Sequence, residues 1–361
     1  MRSAGKNLDR WPSRPELAYG AVTEQPYGEL TMRGQVHRLR QVALEAIDAY
    51  PFEVRRLRLL LHAYNTTFRV DTTDGRRFAL RINTNSLKSE ANLHAEVAWL
   101  DAIARETDVV VPVPQRTRSG RLWAEVWCEP LGRSLPVVVM SWLPGRDLDD
   151  RDPREGIRAL GRTMAQLHDH ALTWTPPTGA EFPAHDHVLF DIPNVLATDH
   201  PLLTDDSRAL FAEALEHTQA AYELVTAAGP VIPIHADLHG SNAKWLHGRL
   251  AVFDFDDAAV GAPVHDLAIS AYYVRDDDAA ERALVEGYEQ VRPRPDVLAA
   301  DFEALVAARN VLLANEVLRM STADMRDIAP TFLANSVLRL RSFLDTGVYR
   351  REVDGVVSLP G

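Results

Sequence analysis

The sequence predicts an α+β chain in two lobes: a small antiparallel sheet with one main helix, followed by a larger, mostly helical body. Two observations carry this. Between residues 51 and 140 apolar positions alternate in short extended runs, whereas beyond Gly145 they recur every three or four residues over most of the chain. A third observation locates the chemistry. The helical part is interrupted by a polar segment, residues 235–242, and by a short apolar run that ends in Asp254.

Residues 1–50 read as an N-terminal extension, rich in Pro, Gly and Arg to about residue 35. Val42, Ala43, Ala46 and Ile47 then predict a short amphipathic helix over 35–50. The small lobe spans 51–140. Residues 67–70 and 77–82 are expected strands, joined through the turn signal Thr73-Asp74-Gly75. In the second strand Phe78, Leu80 and Ile82 share one face, and Ala79 and Arg81 the other. Residues 86–105 predict a helix, because Leu93, Val97, Leu100 and Ala104 recur at its period. Glu96 falls on the same inward stripe. A carboxylate there needs a cationic partner, and Arg81 is the natural candidate. Residues 109–114 read as an extended linker, and 122–127 and 136–140 as two further strands. The run S-W-L-P-G at 141–145 breaks the sheet pattern and opens the larger lobe, 141–361.

There Asp152-Pro153 signals a helix start, and Ile157, Leu160, Met164 and Leu167 mark the helix itself. Further helices are expected over 206–227, 266–274, 278–291, 295–321 and 329–346, with a strand over 250–255.

Hydrophobic and charged fractions of 46% and 25% are those of an ordinary globular chain. The single cysteine, Cys128, rules out an internal disulfide framework. A net charge of −12 argues against nucleic acid as partner and favours a cationic small substrate, although solubility alone accounts for an acidic surface. Residues 1–15 have no apolar core of a secretory signal, and no apolar run reaches the ~18 residues of a membrane span. The expected location is the cytoplasm, with no membrane partner.

The segment 235–242 reads H-x-D-x-x-x-x-N, and Asp254 follows Asn242 by 12 residues. A carboxylate, an amide and a carboxylate at a strand end form the set required for kinase-type phosphoryl transfer. Asp237 is the candidate to orient the attacking hydroxyl and to accept its proton. With an ordinary pKa near 4 it is a weak base, so positioning is its main service. Asn242 and Asp254 offer magnesium the hard oxygens it prefers. His235, Asp237 and His239 also admit a transition-metal reading. Otherwise His235 orders the loop through a backbone hydrogen bond, and His239 faces an acceptor pocket. Asp256 and Asp257 read either as a second metal or acceptor contact or as solvated loop carboxylates. The acidic run Asp147, Asp149, Asp150 and Asp152 reads as an attractor for a cationic acceptor or as a solvated loop. His168 reads as a core histidine.

Three joined elements carry a family resemblance: H-A-D-L-H-G-S-N at 235–242, Val252-Phe253-Asp254, and G-A-P-V-H-D-L-A at 261–268. Together they resemble the aminoglycoside phosphotransferase, choline kinase and homoserine kinase-like superfamily. F-D-D-A at 255–258 is similar to its bacterial stress-response kinase branch. The resemblance covers about 51–347, with looser matches at A-L-R-I (79–82), E-V-A-W-L (96–100) and M-S-W-L-P-G (140–145). It implies a bilobal protein-kinase-like fold, ATP and Mg2+ as cofactors, and transfer of the γ-phosphoryl group to a hydroxyl of a small molecule such as an aminoglycoside or amino alcohol. Alternatives are a protein serine/threonine kinase of the same fold, a nucleotide-binding pseudokinase and, in another class, a metal-dependent hydrolase. The resemblance further implies Arg81 and Glu96 as the phosphate-anchoring pair, Ala79 as room for adenine, Met140, Ser141 and Trp142 as the hinge, and Asp266 as a buried brace. Two departures stand out. Arg81 occupies the usual lysine position, and the phosphate-covering loop, 63–68, contains no glycine. These residues do not separate ATP from GTP.

Overall fold

The computed structural model describes residues 26–86, 88–148, 154–190, 192–246, 248–320 and 322–359. Helix α1 (Met32–Ile47) comes first, its N-terminus capped by the Thr31 hydroxyl, which accepts from Gly34 N. Strands β1 (Val54–His62), β2 (Thr66–Thr72) and β3 (Arg77–Ile82) follow, then α2 (Glu90–Glu106), β4 (Ala124–Cys128) and β5 (Arg133–Ser141). The five strands form one antiparallel sheet in the order β1-β2-β3-β5-β4.

The alternation read in β3 sets the two faces of this sheet. Phe78, Leu80 and Ile82 are buried with Phe68, Val137 and Val139 and with Leu39, Val42 and Ala46 of α1. The helix in the expected extension therefore covers the outer face of the small lobe. Leu93, Val97 and Leu100 of α2 pack with Val138 and Met140 into a second cluster, which continues into the large lobe. Strand β1 has no counterpart in the sequence reading, for a physical reason. It is an edge strand with only Leu57 and His62 buried, and its register with β2 shifts twice, so period-2 alternation is lost.

The large lobe begins with β6 (Arg146–Asp147) and α3 (Arg154–Ala171). The start signal at Asp152-Pro153 lies outside the described residues, as do residues 1–25. Helix α4 (Asp205–Ala228) leads to β7 (Ile232–Ile234), β8 (Ala243–Leu246), β9 (Arg249–Val252) and β10 (Ala259–Gly261). These short strands form two small sheets, β10-β7 and β6-β8-β9, which present the loops between them. The strand expected over 250–255 ends at Val252, because Asp254 takes a left-handed conformation, φ 65°.

Helices α5 (Pro263–Val274), α6 (Asp278–Glu289), α7 (Ala299–Arg319) and α8 (Ala323–Thr346) complete the body. Helix α8 starts six residues before the expected 329 and contains Pro330, whose lost backbone bond is tolerated because Ala329 and Leu333 bury in the core. Phe211 and Tyr222 of α4, Val311 of α7 and Phe343 of α8 belong to one core cluster with α5.

Helices α3 and α6 approach closely enough to require glycine at two positions. A Cβ on Gly161 would lie 1.9 Å from the Leu284 carbonyl oxygen, and one on Gly287 1.9 Å from that of Arg158. Either Gly161→Ala or Gly287→Ala forces backbone apart and should destabilise the fold by about 3 kcal/mol, read by urea denaturation. An unchanged midpoint would contradict this packing.

His265, on α5, is fully buried against His185 and Tyr222, and neither of its ring nitrogens has a hydrogen-bond partner. Burial holds its pKa down to about 3, against the opposing charges of Asp266 and Asp186. The unfolded value is about 6.5. As pH falls from about 6.5 towards 3, only the unfolded chain takes up this proton, so stability is lost at up to about 1.4 kcal/mol per pH unit. The stability of His265→Phe relative to wild type should therefore rise as pH is lowered from about 7 to about 4. A constant difference would show that His265 is not held neutral.

Candidate active site

The site is built around the loop after β7. Ala236 is buried in a left-handed conformation, φ 61°, costly for a residue with a Cβ. Asp266, fully buried on α5, holds it there. Its carboxylate accepts from His235 N at 3.0 Å, Ala236 N at 2.7 Å and His168 Nε2 at 3.0 Å. A carboxylate only accepts, so His168 carries a proton on Nε2, and its Nδ1 is hydrogen-bonded with Tyr288 Oη at 2.9 Å. Burial alone would raise the Asp266 carboxyl, but the hydrogen bonds from His168 and from His235 N bring it below its ordinary value. His168 is thus a satisfied core histidine, and Asp266 is the brace.

His235 orders the loop from inside. Its Nδ1 accepts from Asp237 N at 3.3 Å, which leaves Nε2–H to donate to Phe253 O at 3.1 Å. Burial pushes its pKa down, favouring the neutral ring. The His239 ring stacks on Tyr273 with 3.8 Å between centroids, and its Nδ1 accepts from Ser241 N. Both His235 nitrogens and His239 Nδ1 are engaged this way, so the transition-metal reading of His235, Asp237 and His239 lacks a second free imidazole nitrogen. His239 lies beside Asp237, 3.6 Å from Oδ1, but does not line the cavity expected to hold an acceptor.

Asn242 binds Asp237 twice. Its Nδ2 donates to the Asp237 carbonyl at 2.9 Å and to Oδ2 at 3.0 Å, while its own carbonyl accepts from Phe253 N at 2.9 Å. One side chain therefore ties the loop to the residue before Asp254. The amide's remaining acceptor, Oδ1, is the atom type magnesium takes. Burial would raise the Asp237 carboxyl, but Arg309 and then His239 hold it well below the usual carboxylate range.

Arg81 is where the lobes meet. Its side chain and that of Glu96 are each 4% exposed, and NH2 lies 2.8 Å from either Glu96 oxygen. Nε donates to Asn83 Oδ1 at 2.9 Å, and NH1, with no hydrogen-bond partner, faces Asp254 at 3.7 Å. Across the cleft NH2 is 3.6 Å from Asp256, a buried carboxylate that also accepts from Asn65 Nδ2 at 2.8 Å. Asp256 is therefore not a solvated loop carboxylate. Asp254 is 38% exposed. Desolvation in the cleft and the charges of Asp256, Asp237 and Asp257 raise its pKa to about 7, against the pull of Arg81. Asp257 is raised to about 7 in the same way, with Lys88 opposing. A divalent cation would relieve this negative charge, and the oxygens of Asn242 and Asp254 would offer it two ligands. Among the described residues no three His, Cys, Asp or Glu side chains form a metal site on their own. Of the acidic run, Asp147 pairs with Lys244, and Asp149, Asp150 and Asp152 lie outside the described residues.

Two cavities open here. One, of about 560 Å³, is lined by Ala79, Met140, Ser141, Trp142 and Phe253 among others. Ala79 pairs with Met140 across β3 and β5, Ser141 Oγ accepts from Val113 N at 2.9 Å, and the Trp142 ring sits 5.7 Å from the Arg69 guanidinium. The other, of about 400 Å³, holds Asp237, Asp257, Glu316 and Arg309 beside Phe190 and Leu312. Arg81 and Asp254 line both. The glycine-free loop above them is pinned by Asn85, whose Nδ2 donates to the carbonyls of Ala63 and Tyr64.

Paired lobes, a cleft with an anchored arginine and a braced H-x-D-x-x-x-x-N loop define a kinase-type phosphotransferase. The chain belongs to the phosphotransferase enzyme family, whose model matches residues 56–298. Amicoumacin kinase of Bacillus subtilis (strain 168) is 26% identical over 236 residues, 65% of this chain and 68% of that protein. A solved microcompartment-associated aminopropanol kinase has a TM-score of 0.71 at 24% identity, covering 87% of this chain and 100% of its own. An amicoumacin kinase solved with AMP-PNP and Ca2+ has a TM-score of 0.68 at 18% identity, covering 84% and 95%. Accordingly this chain is an enzyme that phosphorylates a hydroxyl of a small molecule, and ATP use goes with the family. Among the described residues no helix is long and apolar enough to cross a membrane.

Arg309, Tyr273 and Glu316 have no site role in the sequence reading, and Asn65 appears there only as part of the loop 63–68. Arg309 had a signal: an arginine inside the apolar run of 304–314 must be paired if that helix is buried.

Asp266→Ala should leave His168 and two loop amides unpaired, costing about 3–5 kcal/mol and abolishing phosphoryl transfer. Near-wild-type stability in urea denaturation would contradict the brace.

Proposed function

We propose that this enzyme transfers the γ-phosphoryl group of magnesium-bound ATP to a hydroxyl of a small, amine-bearing alcohol. The observation that carries this reading is the meeting of the two cavities at Arg81 and Asp254, with Asp237 in the second. ATP occupies the first, its adenine between Ala79 and the hinge at Met140, Ser141 and Trp142. The unpartnered NH1 of Arg81 anchors its phosphates, and Glu96 fixes the guanidinium. Asn242 and Asp254 hold the magnesium, which when bound neutralises charge on the transferred group. The acceptor lies in the second cavity, where Asp257 and Glu316 attract an ammonium and Phe190 and Leu312 cover its apolar part. Aminopropanol, named for one structural relative, is such an alcohol.

Asp237 accepts a hydrogen bond from the acceptor hydroxyl and aims its oxygen at the γ-phosphorus. As the new P–O bond forms, the bond to the β-phosphate oxygen breaks, ADP leaves, and the hydroxyl proton passes to the carboxylate. A carboxyl held this acidic is a poor base, so most of its contribution is orientation, consistent with a loose transition state.

Asp237→Asn should lower turnover about 10³-fold while nucleotide affinity stays within about two-fold of wild type. Asp254→Ala should lose the magnesium-dependent part of nucleotide affinity, read by calorimetry with and without the ion. ADP release across a panel of amino alcohols and aminoglycosides identifies the acceptor. A chain that binds no nucleotide would sink the reading.

A further inference from the structure

Arg309 lies on α7, 72 residues after Asp237, in a stretch whose neighbours Val306, Ala308 and Val311 are core. Its side chain is 4% exposed. One nitrogen, NH2, pairs with Asp237 Oδ1 and also donates to Tyr273 Oη at 3.0 Å. The Tyr273 hydroxyl is itself 3.5 Å from the same Oδ1, and its ring stacks on His239. Arg309 Nε has no hydrogen-bond partner, although the residue lines the acceptor cavity.

Stability does not account for this arrangement. Replacing a buried ion pair by apolar residues of similar volume is often neutral or stabilising, so an arginine in the apolar stripe of α7 implies another use. The two oxygens of Asp237 also differ. A carboxylate offers about four lone-pair positions. Oδ1 faces Arg309, Tyr273 and His239, whereas Oδ2 accepts a single bond, from Asn242 Nδ2. Held on one side by the guanidinium and on the other by the amide, the carboxylate has little freedom to rotate.

We infer that Arg309 is a positioning residue for phosphoryl transfer: with Tyr273 it holds Oδ1 of Asp237, leaving Oδ2 to take the acceptor hydroxyl. This rests on the kinase reading above. Arg309 touches neither the γ-phosphorus nor the attacking oxygen in this scheme, and its whole effect passes through Asp237. Without it the carboxylate turns away from the productive angle, and displacements of about 1 Å cost about 100-fold in rate.

The experiment is a double-mutant cycle on the full chain: Arg309→Met, Arg309→Lys and Tyr273→Phe, each in wild-type and Asp237→Asn backgrounds. The readouts are kcat and acceptor KM with 1-amino-2-propanol and MgATP, MgATP hydrolysis without acceptor, and affinity for Mg–AMP-PNP by calorimetry. Arg309→Met is expected to lower kcat about 100-fold with nucleotide affinity within about two-fold of wild type. Arg309→Lys should recover about ten-fold of that loss, since an ammonium keeps the charge but not the fork. In the Asp237→Asn background Arg309→Met should cost nothing further. Should Arg309→Met not fold, Arg309→Lys and Tyr273→Phe carry the same cycle. An equal loss in both backgrounds, a rise in acceptor KM at constant kcat, or unchanged kinetics in an active protein would each overturn this inference alone. A wild-type chain with neither transfer nor hydrolysis would overturn the kinase reading and this one with it.

Discussion

A single buried carboxylate holds the reactive loop in place. Asp266 receives two loop amides and one imidazole, and through His168 it is tied to Tyr288 on α6, a helix that lines neither cavity. Breaking such a charge from its partners costs several kcal/mol, more than the strain of the left-handed Ala236 it offsets. That excess lets a residue with a Cβ sit where glycine would be easier. Local strain at the loop is therefore sustained by packing in the body of the large lobe, down to the glycine contacts between α3 and α6.

The charges in the cleft follow a second constraint. Asp237, Asp254, Asp256 and Asp257 crowd together, and the two arginines near them are divided between the acids. Arg81 serves the strand-end pair from the small lobe, and Arg309 serves the loop aspartate from the large one. The acids consequently diverge. Asp237 is driven strongly acidic, whereas Asp254 and Asp257 are driven up towards neutrality. Groups of one kind take different roles because their surroundings differ, not because their spacing in the chain does.

Much of this was legible in the chain. Alternation in β3 separated the core face from the cleft face, and the inward position of Glu96 demanded the cation that Arg81 supplies. The H-x-D-x-x-x-x-N segment and Asp254 are local in sequence, so their relation survives without knowledge of packing. Strand β1 was hidden by bulges and exposure, since a pattern-based reading needs an alternation that this edge does not have. Arg309 was hidden for a different reason. It reaches Asp237 from a helix 72 residues downstream, and only tertiary packing decides which face of α7 meets which loop.

The wall common to the two cavities divides the site into parts that are free to drift and parts that are not. Arg81 and Asp254 border both chambers, so under the proposed assignment a change at either would disturb donor and acceptor together. Phe190, Leu312 and Glu316 border the second chamber alone. Under that assignment, substitutions there would exchange the alcohol accepted and leave the machinery for the nucleotide intact, which is one physical route by which a scaffold of this kind acquires new substrates.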